Sequence, residues 1–328
     1  MTKRLRPEMV DAAAIGQAIG DAIGFQVERQ RPDACARHSA SWLYGDRSSE
    51  PMRDGHATGQ VSDDTQATLA TLKAFAADGD QELALALELC ATRNDMVGGG
   101  RTSLSMLSAL TPLLEAERGL RDAIRKRDEA APFQAASNGA VMRAWPYGFC
   151  ADPGELVERA TLSARITHRN PDSVSGAVAT AAFTMAIAEV ALEDPIRRAM
   201  EIASGDSNAV EMLRVAAALT DTPNEHAHRA AWILGGSDPE WVNVSPSPRA
   251  TLAWAIRSVI CGGADFRASV HGAIAVGGDV DTVAGLAGAW AGIVRGMRAI
   301  PAELAPIPND RGRWGAPELR AAALAALS

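Results

Sequence analysis

GGDVDTVAGLAGAWAGIV, residues 277–294, is the stretch from which the rest of the chain can be read. Val283, Leu286, Trp290, Ile293 and Val294 recur on one face at helical spacing. Gly285, Gly288 and Gly292, with Gly296 just beyond, leave room for other backbones to approach that helix closely. Ahead of it stand Gly277-Gly278-Asp279-Val280-Asp281-Thr282, a hydroxyl-and-carboxylate cluster behind a glycine pair. A second such cluster, Ser62-Asp63-Asp64-Thr65, also precedes a helical pattern, with Leu69, Leu72, Phe75 and Ala76 following at helical intervals. The plain reading of either cluster is a helix N-cap with acidic residues in the first turn. Taken together, the two offer four carboxylates and several hydroxyls, all hard oxygen donors of the kind that suits Mg²⁺, Mn²⁺ or Ca²⁺. Brought together by folding, they would make a two-metal centre with ions about 3.5–4 Å apart.

Working outward, most of the chain reads as helix, because alanine and leucine dominate and β-branched alternation is scarce. Residues 82–89 start one helix, and 103–114 carry Leu104, Leu107, Leu110 and Leu114 on another. Residues 173–192 are apolar nearly all round, which places them at the centre of the protein. Residues 251–260 continue the pattern. Loops are marked by Gly, Pro, Asn and Asp at 47–59, 93–101, 135–139, 168–172, 235–239 and 245–248. No low-complexity linker or fixed-period repeat divides the chain, so a single all-α domain over residues 1–328 is expected.

Composition narrows the function. Apolar residues make up 47% and charged residues 22%, as in a globular protein with a large core. The net charge of −8 and the pI near 5.3 disfavour a nucleic-acid surface that tracks phosphates. Cys35, Cys90, Cys150 and Cys261 show neither CxxC pairing nor zinc-ligand spacing, and read as reduced, mostly buried thiols of a cytoplasmic protein. The basic residues 1–6 lead into a stretch broken by Glu8, Asp11 and Asp21, a poor signal peptide. The apolar run 283–294 is shorter than the roughly 20 residues of a membrane span. Membrane association is not expected. The glycines at 98–100 lack the Lys-Ser/Thr ending of a phosphate-binding Walker loop, and no GxSxG nucleophile elbow is present.

Five segments in order, Gly20-Asp21-Ala22-Ile23-Gly24 with Glu28, Ser62-Asp63-Asp64-Thr65, Ser137-Asn138-Gly139-Ala140-Val141-Met142-Arg143, Thr167-His168 and Gly277 to Thr282, together resemble the ADP-ribosylglycohydrolase family. That resemblance implies an all-α orthogonal helical bundle with two Mg²⁺ or Mn²⁺ ions in a central cleft. The implied metal ligands are Ser62, Asp63, Asp64, Asp279, Asp281 and Thr282. Glu28 matches a glutamate beside the metals, and Asp95 an acidic residue proposed to activate water; with Asp64 these are the candidate catalytic carboxylates. Gly98, Gly99, Ser137, Asn138, Gly139, Met142 and His168 fall in regions implied to hold ADP-ribose. Ser62 replaces the family's usual threonine but keeps a hydroxyl, and residues 95–102 are richer in glycine than the usual acidic, Gly-Asn-Thr loop. The implied reaction is hydrolysis of the bond between ADP-ribose and an acceptor on a protein, such as arginine, or on a small molecule. A metal-dependent phosphohydrolase would need the same carboxylates. The same residues would also serve a non-enzymatic ADP-ribose binder, or an immunity protein facing a cognate ADP-ribosylating toxin.

Overall fold

The structure, a computed structural model, describes residues 7–45, 53, 55–116, 119–130, 135–237 and 239–326. The basic residues 1–6, most of the expected 47–59 loop and residue 238 lie outside the described residues. Among the described residues there are fifteen α-helices and no β-strand. They are α1 (Pro7–Phe25), α2 (Pro32–Tyr44), α3 (Asp63–Phe75), α4 (Gln81–Thr92), α5 (Arg101–Ala116), α6 (Leu120–Ala130), α7 (Pro153–Thr167) and α8 (Pro171–Val190). Then come α9 (Pro195–Ile202), α10 (Ser207–Thr220), α11 (Asn224–Leu234), α12 (Pro248–Cys261), α13 (Phe266–Ile274), α14 (Val280–Arg295) and α15 (Ala316–Ala325). The all-α class expected from sequence is what the structure has.

The architecture is organised by α1 and α14, each buried on nearly every side. They run antiparallel with backbone touching backbone. A Cβ added at Gly16 would lie 2.2 Å from the Gly288 carbonyl oxygen, one at Gly20 2.1 Å from that of Ala284, and one at Gly24 2.6 Å from Asp281 Cα. From the other side, a Cβ at Gly292 would lie 2.4 Å from the Ala12 carbonyl oxygen. Glycine every fourth residue on α1 therefore faces a small-residue stripe on α14, and no other residue type fits the approach. Gly288 and Gly292 thus do what the sequence suggests. Gly296 differs: at φ +73° it ends α14 and approaches nothing within 4 Å.

Helix α8 is the other central element. It is long and apolar enough to cross a membrane, but 78% of its apolar window is buried inside the protein, so it is a core helix. Phe183 of α8 meets Trp290 of α14 edge to face, with centroids 4.7 Å apart, and Thr184 accepts a hydrogen bond from the Trp290 indole. Around this centre α9 to α13 extend the main core, while α3 to α6 build a smaller one from residues such as Leu85, Leu89, Leu107 and Leu110. The antiparallel packing of α1 on α14 has one consequence for chemistry. It sets the C-terminal end of α1, with Asp21 and Glu28, beside the N-terminal end of α14, with Asp279 and Asp281.

Candidate metal centre

Helix α3 begins as its sequence directs. Ser62 is the N-cap, its Oγ accepting from the Asp64 amide at 3.2 Å, and Asp63 and Asp64 occupy the first turn. Beneath it lies Asp21 of α1. Its carboxylate accepts from the Ser62 amide at 3.0 Å, from the Thr65 amide at 3.2 Å and from the Thr65 hydroxyl. Asp21 thus clamps the turn that presents Asp63 and Asp64. From above, the Asp63 amide donates to Val97 O at 2.7 Å, and Gly98, at φ +80°, lies close enough that an added Cβ would stand 3.5 Å from Asp63 Oδ1.

The turn before α14 is laced in the same way. Gly277 and Gly278 have φ of +78° and +97°, and a Cβ on Gly278 would lie 2.1 Å from the Val244 carbonyl oxygen. The Arg29 amide donates to Gly278 O at 2.8 Å, and the Asp279 amide to Val244 O at 2.9 Å. These bonds aim Asp279 and Asp281 at Glu28, and carboxylate oxygens of the three residues lie within 4.8 Å of one another. The two sequence clusters meet beside Thr282, whose side chain lowers the proton affinity of both Asp64 and Asp279.

So many buried carboxylates raise one another's proton affinity. Burial, with repulsion from Asp21 and Glu28, pushes Asp63 up to about 7. Burial and Glu28 push Asp279 to about 7 as well, against the opposing hydrogen bond from Asn138. Asp64 and Asp281 are raised well above the ordinary carboxylate range, chiefly by burial and then by neighbouring carboxylates. Buried charge is tolerated when it is paired or bound to metal. The hydrogen-bond partners found for Asp63, Asp64, Asp279 and Asp281 are neutral amides and hydroxyls, and Asp64 Oδ1 is buried with no partner. An all-oxygen set, an excess of negative charge and an orphaned carboxylate oxygen fit hard divalent cations.

The remaining site residues expected from sequence fall into three groups. Asn138 joins the cluster: its amide donates to Asp279 Oδ2 at 2.6 Å and to Thr251 Oγ1 at 2.9 Å. Ser137, Gly139, Met142 and His168 form the layer behind it. His168 is 0% and Met142 4% exposed, so both side chains are buried in that layer. His168 bonds Ser137 Oγ at 2.9 Å and Thr167 Oγ1 at 2.8 Å, and burial, followed by Arg143 and Arg127, pushes its pKa down to about 3. It is therefore neutral and buried. Asp95 is the third case, set apart from the cluster: half-exposed, it pairs with Arg313 at 2.9 Å, which holds its carboxyl below the usual range. Its neighbour Gly99 packs on Met96 and Leu104.

Two buried polar residues have roles that sequence alone does not reveal. Asp21 stands there only as part of a motif. Gln17, fully buried on α1, donates to Met142 O at 3.1 Å and accepts from the Trp145 indole, tying α1 to the segment behind Asn138. The visible signal for both is a polar side chain inside an otherwise apolar helical stretch.

Comparisons with known proteins bear on the family and the fold. The family model described as ADP-ribosylglycohydrolase matches residues 2–326. A solved structure described as an ADP-ribosylglycohydrolase-related protein complex superposes with a TM-score of 0.61 at 21% identity, covering 100% of this chain and 99% of that one, which shows a shared fold. A curated Archaeoglobus fulgidus protein, described as an uncharacterized protein, is 33% identical over 164 residues, 47% of this chain and 48% of that protein. The chain thus matches about half the length of that relative.

Proposed function

The chain belongs to the ADP-ribosylglycohydrolase family, and from that membership we propose that it is a metal-dependent hydrolase that removes ADP-ribose from an acceptor, an arginine side chain in the first instance. The observation that carries the metal dependence is the cluster of buried Asp63, Asp64, Asp279 and Asp281 beside the half-buried Glu28; of these, only Glu28 has cationic partners among the described residues, Arg53 and Arg29, and the four aspartates have none. Asp63, Asp64, Asp279 and Asp281, with the hydroxyls of Ser62 and Thr282, would hold two Mg²⁺ or Mn²⁺ ions, and Glu28 stands close enough to Asp279 and Asp281 to share in them. Cations bound there supply a template for the ribose diol and offset the charge of the cluster.

In this proposal the protein's own groups do the rest. The bond from ribose C1″ to the acceptor breaks with its electron pair on the acceptor, a water oxygen bonds to C1″, and the water proton is taken up by a carboxylate. Glu28 is the group placed for that proton: it borders the cluster and its side chain is 14% exposed, so solvent can reach it. Asn138 keeps Asp279 aimed, and Asp21 keeps the α3 turn in place. Residues 137–139 and the amides of residues 98–100 would face the diphosphate, with His168 and Met142 supporting the loop from behind. Asp95 then acts at the rim. The free cysteines fit a cytoplasmic setting, and a single unit over 1–328 fits the family match.

The test is a panel of ADP-ribosylated arginine, serine and small-molecule substrates, with free ADP-ribose measured with and without EDTA. Release that EDTA abolishes supports the proposal. Phosphate release from simple phosphoesters, without ADP-ribose release, would replace it with a phosphohydrolase.

A further inference from the structure

Glu28 does not stand bare beside the cluster. Arg53 Nη1 donates to Glu28 Oε2 at 3.0 Å and to the Phe25 carbonyl oxygen at 3.0 Å. Its guanidinium carbon lies 4.2 Å from the centre of the Phe25 ring. One guanidinium is therefore gripped in three ways by the end of α1, by a flat aromatic face, a carboxylate and a backbone carbonyl. The ring is held from other directions, edge-on by His56 at 5.1 Å and against Gly98, where an added Cβ would be 3.5 Å from both the ring and Asp63 Oδ1. Arg29 steadies the other Glu28 oxygen at 3.6 Å while stacking on Trp241 at 4.5 Å.

The shape and chemistry of this cradle select among cations. A planar guanidinium can lie on the ring and still point its N–H groups at two acceptors in its own plane. A compact ammonium has no flat face to stack and is more strongly hydrated. The cradle also adjoins the centre, since Glu28 is the carboxylate that lies within 4.8 Å of Asp279 and Asp281. We infer that Phe25, its carbonyl and Glu28 form a binding site for an alkylguanidinium, the side chain of a substrate arginine, and that Arg53 is a resident plug occupying it. The inference rests on the proposed glycohydrolase reading and narrows its acceptor.

A plug of this kind competes with substrate without locking the site. The Arg53 side chain is 37% exposed, and a half-solvated ion pair adds little to stability. Being on the same chain, it is nonetheless present at high effective concentration. Removing it should unmask the cradle and leave the fold intact.

Calorimetry with agmatine, butylamine and ADP-ribose tests this on the wild type, Arg53→Ala and the double variant Arg53→Ala with Phe25→Leu. Agmatine should bind Arg53→Ala about tenfold or more tightly than wild type. Butylamine should show no such gain, and Phe25→Leu should remove it. ADP-ribose should bind wild type and Arg53→Ala alike, and an unchanged helical circular dichroism spectrum and cooperative melt certify the double variant as folded. Equal agmatine affinity in wild type and Arg53→Ala, or an equal gain for butylamine, overturns the guanidinium site even if ADP-ribose binds. An agmatine gain without ADP-ribose binding in any variant upholds the cation site and removes the glycohydrolase reading instead.

Discussion

Asp281 shows what the site asks of a single residue. Its carboxyl is raised by burial, then by Glu28, Asp279, Asp64 and Asp21, so in the metal-free protein its charge is a burden. Asp281→Asn is expected to raise the melting temperature of the chelated protein. It should also abolish the rise that Mn²⁺ gives the wild type, along with nearly all turnover. A variant that still gains stability from Mn²⁺ as the wild type does would remove Asp281 from the ligand set. Glu28→Gln should keep the fold and slow ADP-ribose release by about 10²–10⁴-fold, the usual loss for an acid–base group; near-normal single-turnover rates would pass the role elsewhere. At this scale the acidic clusters are legible in the sequence because two of them in one chain exceed what helix capping needs. The supporting residues are not. Gly139 looks free of packing duties in the sequence, yet a Cβ there would lie 2.8 Å from Ser103 Oγ and 2.9 Å from His168 Cε1. Gly139→Val would disturb the buried His168 layer and is a poor probe of ligand binding. Asp95 looks chemical because it lies in a glycine-rich loop, and only the folded chain reveals Arg313 beside it.

Among the elements, the glycine faces of α1 and α14 carry the sharpest expectation. Gly20→Ala forces a Cβ to within 2.1 Å of a backbone carbonyl that cannot move without its helix. It should cost about 3 kcal/mol or more, at the upper end of overpacking effects. Gly272→Ala, inside α13 with only Ser258 Oγ within 4 Å, should instead stabilise by about 0.5–1 kcal/mol through helix propensity. Thermal melts of the two variants check both, and a neutral Gly20→Ala would mean that the helices are farther apart than described. Helices with a long apolar stripe, α3, α5, α8, α12 and α14, are legible in the sequence within a few residues of their ends. Helix α6 is not, because only Leu120, Ala123 and Ile124 supply its buried apolar face among many charges. Helix α9 has eight residues, too few for a period to declare itself.

For the molecule as a whole, the raised carboxyls couple pH, metal and stability. Folding lifts Asp63 and Asp279 from 3.8 to about 7, so between those values the folded metal-free protein holds protons that the unfolded chain has lost. Their contribution to stability is complete below the unfolded value and is lost as pH rises through about 7. The chelated protein should therefore melt at a lower temperature at about pH 8 than at about pH 5, and saturating Mn²⁺ should remove or reverse that difference. Melts of the chelated protein that rise with pH over this range would contradict the description of the cluster. The all-α class is legible because helical periodicity is local. Which helices meet is not, because that depends on contacts between α1 and α14 far apart along the chain. That distance also orders events on the ribosome. Helix α1 emerges early, with its glycine stripe and Asp21 ready, but the surface it must bury against is synthesised much later. Until α14 emerges, α1 has no partner for that face, and Glu28 has neither Asp279 nor Asp281 beside it to complete the acidic cluster. Nascent chains that lack α14 are therefore expected to expose the apolar face of α1, a surface that favours aggregation until its partner is made.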